Sequence, residues 1–501
     1  MSEVTTAPGV AKIATGVPGL DSITKGGFPE GRAVVVAGTT GSAKTVLAVQ
    51  FLRGGIVASQ PGVFVTCEES PASIRANVRG FGWDVPAWEA AGSWSFVDAT
   101  RAQDGTTIQA GSYDLAALLS RIGSAVRSLG ASRVVIDSLD GLFAQFGHDQ
   151  HFRNEFHDVI GRLADLGVTT LLTTERQSDY GPLSRRGVEE FVTDNLILLR
   201  NVLTAEKRRR TIEVVKFRGT GHGSGEFGFS INGSGISVIP HLDITDERRL
   251  TDERTTLGNA DLDAMCDGGL FRDSIVLVSG AAGTGKTLLM TAFVAAGALL
   301  GERCLVFAFE ERREQLFRNA RGWGVDFEAM ERDGLLRVVS VYPEVATLED
   351  HLVGIAAHVD AFRPTRVAVD SLSALERVGT VDGFRKFIVS LSAFVKHRVL
   401  TTMLTSTTPT FLGGTSPTES HLSTVTDMII LLRHSDIGGT FQRGLVVLKM
   451  RGSRHDKDVR QFTVDSLGMH VGPPFDQPLG LDAPVDRSAR SEDQDHASDI
   501  P

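Results

Sequence analysis

Residues 280–287 read GAAGTGKT, the full GxxxxGK[ST] pattern of a phosphate-binding loop, and residues 38–45 read GTTGSAKT, the same pattern with one exception. In such a loop successive backbone N–H groups and a helix N-terminus surround the phosphates. The lysine neutralises the β/γ oxygens, and the following threonine hydroxyl ligates Mg2+. Ala282, Gly283, Thr284, Gly285, Lys286, Thr287 and Leu288 are therefore expected to bind ATP, and so are Thr40, Gly41, Ser42, Ala43, Lys44 and Thr45. The exception is Ala43, which stands where Gly285 precedes the lysine of the other loop. A methyl group there either crowds the phosphates or is absorbed by the loop. Lys44 and Thr45 remain, so binding is expected in both.

The repeat extends beyond the loops. At the same offset of 242 residues, Asp21 matches Asp263, Gly26-Gly27 matches Gly268-Gly269, and Glu68-Glu69 matches Glu310-Glu311. Later landmarks hold an offset of 233: Asp137-Ser138 against Asp370-Ser371, Asp194 against Asp427, Lys216 against Lys449, Arg218 against Arg451. The chain thus carries two homologous domains, 1–242 and 257–471. The polar, charged stretch 243–256 is read as a linker. Residues 472–501 are read as a disordered acidic tail, since 475–501 hold seven acidic and two basic side chains.

Apolar β-rich runs alternate with helical patterns in both halves, which predicts α/β domains with a mainly parallel sheet flanked by helices. AVVVA (33–37) and IVLVS (275–279) are buried-type strands running into the loops, and 46–53 and 288–300 read as the helices that follow. Further strands end at the paired glutamates and at the Asp-Ser pairs. With 501 residues, 42% hydrophobic and 22% charged, each half can bury a full core. No apolar run approaches the ~20 residues of a membrane span, and the first residues lack a signal-peptide pattern. Three cysteines without metal-ligand spacing suggest a reduced, cytoplasmic protein.

Asp137 and Asp370 end hydrophobic strands, where a carboxylate holds Mg2+ directly or through water, beside Thr45 and Thr287. Glu68-Glu69 and Glu310-Glu311 also end strands. A carboxylate there orients or deprotonates an attacking water or hydroxyl, and the sequence does not say which of each pair does so. Lys216-Phe217-Arg218 and Lys449-Met450-Arg451 read as cations reaching a nucleotide held by an adjacent subunit, as an arginine finger does. The run KRRR (207–210) has no counterpart in the second half and reads as a solvated hairpin end. Just before Asp194 and Asp427 the copies diverge: Glu190-Phe191 is replaced by Ser423-Thr424. Phosphoryl transfer to protein needs a hydroxyl within in-line reach of the γ-phosphate, and only the second copy offers adjacent hydroxyls there.

The motifs TTERQSDYGP (173–182), GVEEFVTDN (187–195), DSLSAL (370–375), SHLSTVTD (420–427) and KMRGSRHDK (449–457) together resemble the KaiC family. These circadian-clock ATPases and kinases are double-domain members of the RecA/DnaB-like group. The resemblance covers about residues 10–470 and implies a homo-hexameric double ring with ATP at subunit interfaces. It implies slow ATP hydrolysis in the first ring, and autophosphorylation and dephosphorylation of Ser423 and Thr424 in the second. On that likeness Glu310 is the base and a further metal ligand, and Glu68 and Glu69 position the hydrolytic water. Trp323 and Arg443 contact the second nucleotide. From the neighbouring subunit Lys216, Phe217, Arg218, Thr220 and His222 contact the first nucleotide, and Lys449, Met450, Arg451 and Ser453 the second. Thr418 and Glu419 match polar residues preceding the acceptors. Gly233 departs from an acidic residue of the family near the first nucleotide. The segment after Gly472 is unlike the family's KaiA-binding tail, so a KaiA-like partner is not expected; a KaiB-like partner and a simpler signalling role are both open.

Two other function classes were weighed. A RecA/DnaB-type motor on nucleic acid would need basic loops with interleaved aromatics, and a chain with net charge -10 does not favour one. A nucleotide-gated scaffold that scarcely turns ATP over fits the first ring alone.

Overall fold

The computed structural model describes residues 10–100, 112–142, 150–183, 193–204, 206–239, 251–407, 422–437 and 440–475. The chain divides into two compact units, Met1–Leu242 and Asp243–Pro501. The expected acidic tail lies almost wholly outside the described residues, as do Thr418 and Glu419 and most of the expected linker.

Each unit is built on a nine-stranded sheet. In the first, Ala33–Gly38 lies between Thr169–Glu175 and Asn195–Thr204, parallel to both. Arg133–Asp137, Gly62–Thr66 and Trp94–Asp98 extend the parallel part. Lys207–Phe217, Glu226–Asn232 and Gly235–Val238 close the other edge as antiparallel strands. The second unit repeats the order: Leu336–Ser340, Cys304–Ala308, Arg366–Asp370, Thr401–Ser406, Ile275–Gly280, Met428–Ile437, Thr440–Met450, Arg460–Asp465, Gly468–Pro474. These are two RecA-like α/β units. The expected mainly parallel architecture is what forms, with an antiparallel edge on each sheet.

Both faces of the parallel part are covered, so its strands read as continuous apolar runs rather than alternating ones. Val34 and Val36 belong to one core of the first unit, Val35 and Ala37 to the core on the opposite face. The helices after the loops run Lys44–Val57 and Lys286–Leu299, two residues earlier at their starts than the sequence pattern suggested. The difference is that each helix begins at the lysine itself, directly after a left-handed residue: Ala43 at φ 75° and Gly285 at φ 106°. Arg254–Thr255, inside the expected linker, pairs with Leu270–Phe271, as Lys12–Ile13 pairs with Phe28–Pro29 in the first unit.

One buried cation is common to both units. Arg133 and Arg366 open equivalent strands, each 1% exposed. Arg133 donates to the Phe51 carbonyl (2.8 Å) and to Gln60 Oε1 (2.7 Å). Arg366 donates to the carbonyls of Thr256 (2.9 Å) and Phe293 (3.1 Å) and to Thr255 Oγ1 (2.6 Å), and its Nε pairs with Glu302. Glycine makes the room: a Cβ on Gly55 would stand 2.6 Å from Arg133 Cδ, and one on Gly297 2.5 Å from Arg366 Cδ. The partner differs, neutral Gln60 against charged Glu302. Burial lowers the Arg133 pKa to about 10.

Removing one member of a buried ion pair leaves the other charge stranded, at a cost of about 3–5 kcal/mol. Glu302→Gln gives Arg366 the neutral kind of partner that Arg133 has, at the added loss of the half-exposed Arg272 pair (2.7 Å), and should cost less than Arg366→Ala. Denaturant unfolding of the full chain checks this: Arg366→Ala lowers the midpoint of the second unit more than Glu302→Gln does.

Candidate functional site

The C-terminal ends of the parallel strands bring together most of the residues singled out by sequence. In the first unit Lys44 Nζ lies against the carbonyls of Gly38 (2.9 Å) and Thr39 (3.0 Å). Lys286 makes the same contacts with Gly280 (2.8 Å) and Ala281 (2.9 Å). Thr45 Oγ1 donates to Asp137 Oδ2, and Thr287 Oγ1 to Asp370 Oδ2, each at 2.8 Å. With its proton committed to the carboxylate, the threonine oxygen keeps its lone pairs for a cation. Hydroxyl and carboxylate oxygens are hard donors that suit Mg2+ completed by phosphate oxygens.

Ala43 takes the left-handed conformation that Gly285 takes in the other copy. The structure shows where its methyl goes. A Cβ at Gly285 would meet Met469 (3.5 Å) and Phe462 (3.7 Å), ordinary contacts on the core side, and Ala43 packs against the first unit's core. The methyl turns inward.

The glutamate pairs divide the same way in both units. Glu68 and Glu310 each accept a hydrogen bond from the serine that follows the aspartate, Ser138 and Ser371 (2.7 Å for the latter). Glu69 instead accepts from Ser73 and Asn77, both 2.9 Å, on the helix Pro71–Val78. Glu311 accepts from Asn319 (3.1 Å) on the helix Arg313–Gly322. The first glutamate of each pair therefore faces the loop lysine and the aspartate, and the second is turned to the next helix.

Burial dominates the electrostatics. It pushes the Asp137 and Asp370 carboxyls above the ordinary range, against the opposing pull of two threonine hydroxyls and the loop lysine. It lowers Lys44 and Lys286, while carboxylates pull back: Glu175, Asp137, Asp140 and Glu68 at the first site, Asp370 and Glu310 at the second.

Ser423 and Thr424 lie on one helical turn, residues 422–425, just before the strand Met428–Ile437; Ser423 is half-buried and Thr424 exposed. The expected finger holds this turn by its backbone. Lys449 Nζ donates to the carbonyls of Ser423 and Thr426 (2.7 Å for the latter), and Arg451 Nη2 to that of Thr424 (2.6 Å). In the first unit Lys216 Nζ reaches the Thr193 carbonyl (2.7 Å) and Arg218 the Asp194 carboxylate (2.9 Å).

Other expected contacts are placed less directly. Phe217 is buried, its ring 6.3 Å from those of Phe28 and His222, so its side chain serves the core. Thr220 and His222 bond neighbouring backbone carbonyls. Met450 and Trp323 pack on the second core, and Ser453 accepts from Arg254 (2.6 Å). Gly233 has open space where a Cβ would project.

Sequence reading missed several partners. Thr173 and Thr405 donate to the second oxygen of Asp137 and Asp370. These threonines stand 232 apart, not 233, so a one-residue slip hid the match. Asp140 accepts from Thr174 (3.0 Å) and from the Glu175 N–H (2.6 Å), and Thr40 donates to Glu175. In the second unit Ser373 and Thr407 occupy those places. Lys396 pairs with Asp427 at 2.6 Å.

A lysine-bearing loop between a central parallel strand and a buried helix, with an aspartate and a glutamate at adjacent strand ends, defines a RecA-like P-loop nucleotide-binding protein. The family model described as "ATPase: KaiC" matches residues 13–243 and again residues 256–475, and the chain belongs to this family of ATP-hydrolysing enzymes. It is 53% identical over 474 residues to the circadian clock protein KaiC3 of Synechocystis sp., covering 94% of each chain. It is 47% identical over 467 residues to the circadian clock oscillator protein KaiC of Thermosynechococcus vestitus, covering 93% of this chain and 90% of that one. The corresponding protein of Synechococcus elongatus is 45% identical with the same coverage. Among the described residues no helix is long and apolar enough to cross a membrane.

Because burial raises the Asp370 pKa above its unfolded value, the ionised carboxylate costs stability that grows as pH rises from the ordinary carboxylate range through the raised value. An amide carries no such cost. Asp370→Asn should therefore raise the unfolding midpoint of the nucleotide-free protein at pH 8, by about 1 kcal/mol in stability, and the gain should vanish toward pH 4. Thermal scans of both proteins across pH check this.

Proposed function

We propose that the second unit is a serine/threonine autokinase and autophosphatase acting on Ser423 and Thr424, and that the first unit hydrolyses ATP slowly. The observation that carries the reading is the linked geometry of the second unit. A complete phosphate loop, Asp370 and the Ser371-held Glu310 form one cluster, while the Ser423–Thr424 turn is gripped by Lys449 and Arg451. A cation pair that reaches the nucleotide of a neighbouring subunit would carry these hydroxyls with it, which favours transfer between chains of a homo-hexamer.

In this mechanism Lys286 neutralises γ-phosphate charge. Thr287 and Asp370, with Glu310 beside them, would hold Mg2+, which supplies charge neutralisation on the β- and γ-phosphates. Glu310 takes the proton from Ser423 or Thr424 Oγ as that oxygen bonds to the γ-phosphorus. The bond from phosphorus to the bridging oxygen breaks, and ADP leaves. Return of the phosphoryl group to ADP reverses the same steps. In the first unit no adjacent hydroxyl pair stands at the corresponding place, Glu190-Phe191 being there in sequence, and Glu68 would act on water. Glu69 and Glu311 serve the helices that follow them. The names of the relatives support a role in circadian-clock-like timing. A cytoplasmic location and a KaiB-like partner are further parts of the proposal, and a KaiA-like activator is not.

The test is incubation of the full chain with Mg2+ and γ-labelled ATP, followed by phosphopeptide mapping. Label is expected on Ser423 and Thr424. Glu310→Gln should slow incorporation by about 10²–10⁴-fold, as loss of a general base does, and Glu311→Gln should act far more mildly. Hydrolysis without label at either residue would overturn the autokinase reading, and equal effects of the two glutamate changes would overturn the assignment of the base.

A further inference from the structure

We propose that Arg210 is a nucleotide-binding residue of the first unit, its guanidinium donating to an acceptor oxygen of the nucleoside triphosphate held by the loop 38–45. The inference rests on nucleotide binding at that loop, as proposed above, and adds a residue that the loop motif does not contain.

Arg210 belongs to the basic run 207–210, which the sequence suggested was a solvated hairpin end, and the structure divides that run. Arg208 donates to the Asn201 carbonyl at 3.0 Å. Nearby Arg200 is ion-paired with Glu213 at 2.6 Å and Glu226 at 3.2 Å and donates to the Asp179 carbonyl at 3.1 Å, although its Nη1 makes no aligned hydrogen bond among the described residues. Arg210 differs: its Nε is closed off from water and has no hydrogen-bond partner among the described residues. A guanidinium carries donors only, so an enclosed, unmatched N–H asks for an acceptor.

Its position says which acceptor. Arg210 pairs in register with Asn201, and cross-strand partners share a face of the sheet. Asn201 Nδ2 reaches the carbonyl of Gly41, inside the phosphate loop, at 3.3 Å. The Oδ1 of Asn201 is itself buried without a partner among the described residues. Two unmatched polar atoms therefore stand beside the loop on one face.

The second unit repeats the arrangement. Arg443, in register with His434, stands 233 residues after Arg210, and its Nε is likewise enclosed and unpartnered among the described residues. An orphaned donor recurring at the same strand position in two diverged copies has a common cause, and a bound phosphate ester supplies one.

The experiment uses the full chain carrying Lys286→Ala, which removes the γ-phosphate lysine of the second loop, titrated with a fluorescent non-hydrolysable ATP analogue. Arg210→Gln in that background should weaken binding by about ten- to a hundredfold, the range for a hydrogen bond to a charged group. Arg210→Lys should recover part of the loss. Arg208→Gln, which removes the same charge two residues away, should change affinity by less than about threefold. Unchanged affinity in Arg210→Gln, or an equal loss in Arg208→Gln, overturns the proposal. Lys44→Ala reports separately on the first loop: if it leaves binding intact, nucleotide binding at that loop fails, and the assignment of Arg210 fails with it.

Discussion

A largely buried carboxylate at the end of a parallel strand is the constraint around which each unit is arranged. Asp137 and Asp370 have both oxygens occupied, one by the phosphate-loop threonine and one by a threonine of the adjacent strand. That grip fixes the loop helix to two neighbouring strands at a single point. It also leaves a negative charge that burial disfavours and that one nearby lysine only partly offsets. Such a site is made more stable by arriving positive charge, which a hydrated divalent cation held at the carboxylate would supply. The glutamate on the next strand is tied to the same point through the serine that follows the aspartate.

The two units share this skeleton and differ in the charge set on it. The first surrounds its lysine with Glu175 and Asp140 in addition to Asp137 and Glu68; the second has Thr407 and Ser373 where those extra carboxylates stand. The buried arginine beneath each sheet shows the opposite trade, neutral Gln60 in the first unit and Glu302 in the second. The fold therefore tolerates charge changes on both sides of the sheet without altering strand order. On the function proposed above, the more acidic first site suits attack by water. The second, with hydroxyls in place of carboxylates, suits an incoming side-chain oxygen.

The fold was legible because its signals are local and repeated. Apolar runs of about five residues end at Asp137, Glu68 and their counterparts, and the loops name the strand and helix on either side. Less legible was everything set by contact between distant strands. Nothing in "EE" shows that Glu310 faces the loop while Glu311 turns to Asn319, because both sit at the end of one strand and a single backbone rotation separates them. The threonine partners of the aspartates were hidden by a one-residue slip in spacing. Sequence does not decide whether the Ala43 methyl crowds the phosphates or is absorbed, because it gives the identity of a side chain and not its direction. In a left-handed residue at that turn, the direction is toward the core.

The turn that bears Ser423 and Thr424 shows how far local geometry constrains any chemistry there. Its last carbonyls are held by Lys449 and Arg451, which stand near the end of the antiparallel strand Thr440–Met450. The following Asp427 takes the Ile275 N–H at 2.8 Å and the Lys396 ammonium at 2.6 Å, so the turn is anchored to the strand that enters the phosphate loop. Any displacement of Ser423 or Thr424 must therefore move the two cations, strain the loop strand, or break these bonds. Burial already lowers the Lys449 pKa, with Arg451 adding to the effect, so that ammonium gains from every acceptor it keeps. The Ser423–Thr424 turn, Lys449 and Arg451, and the phosphate-loop strand are mechanically one assembly within the chain.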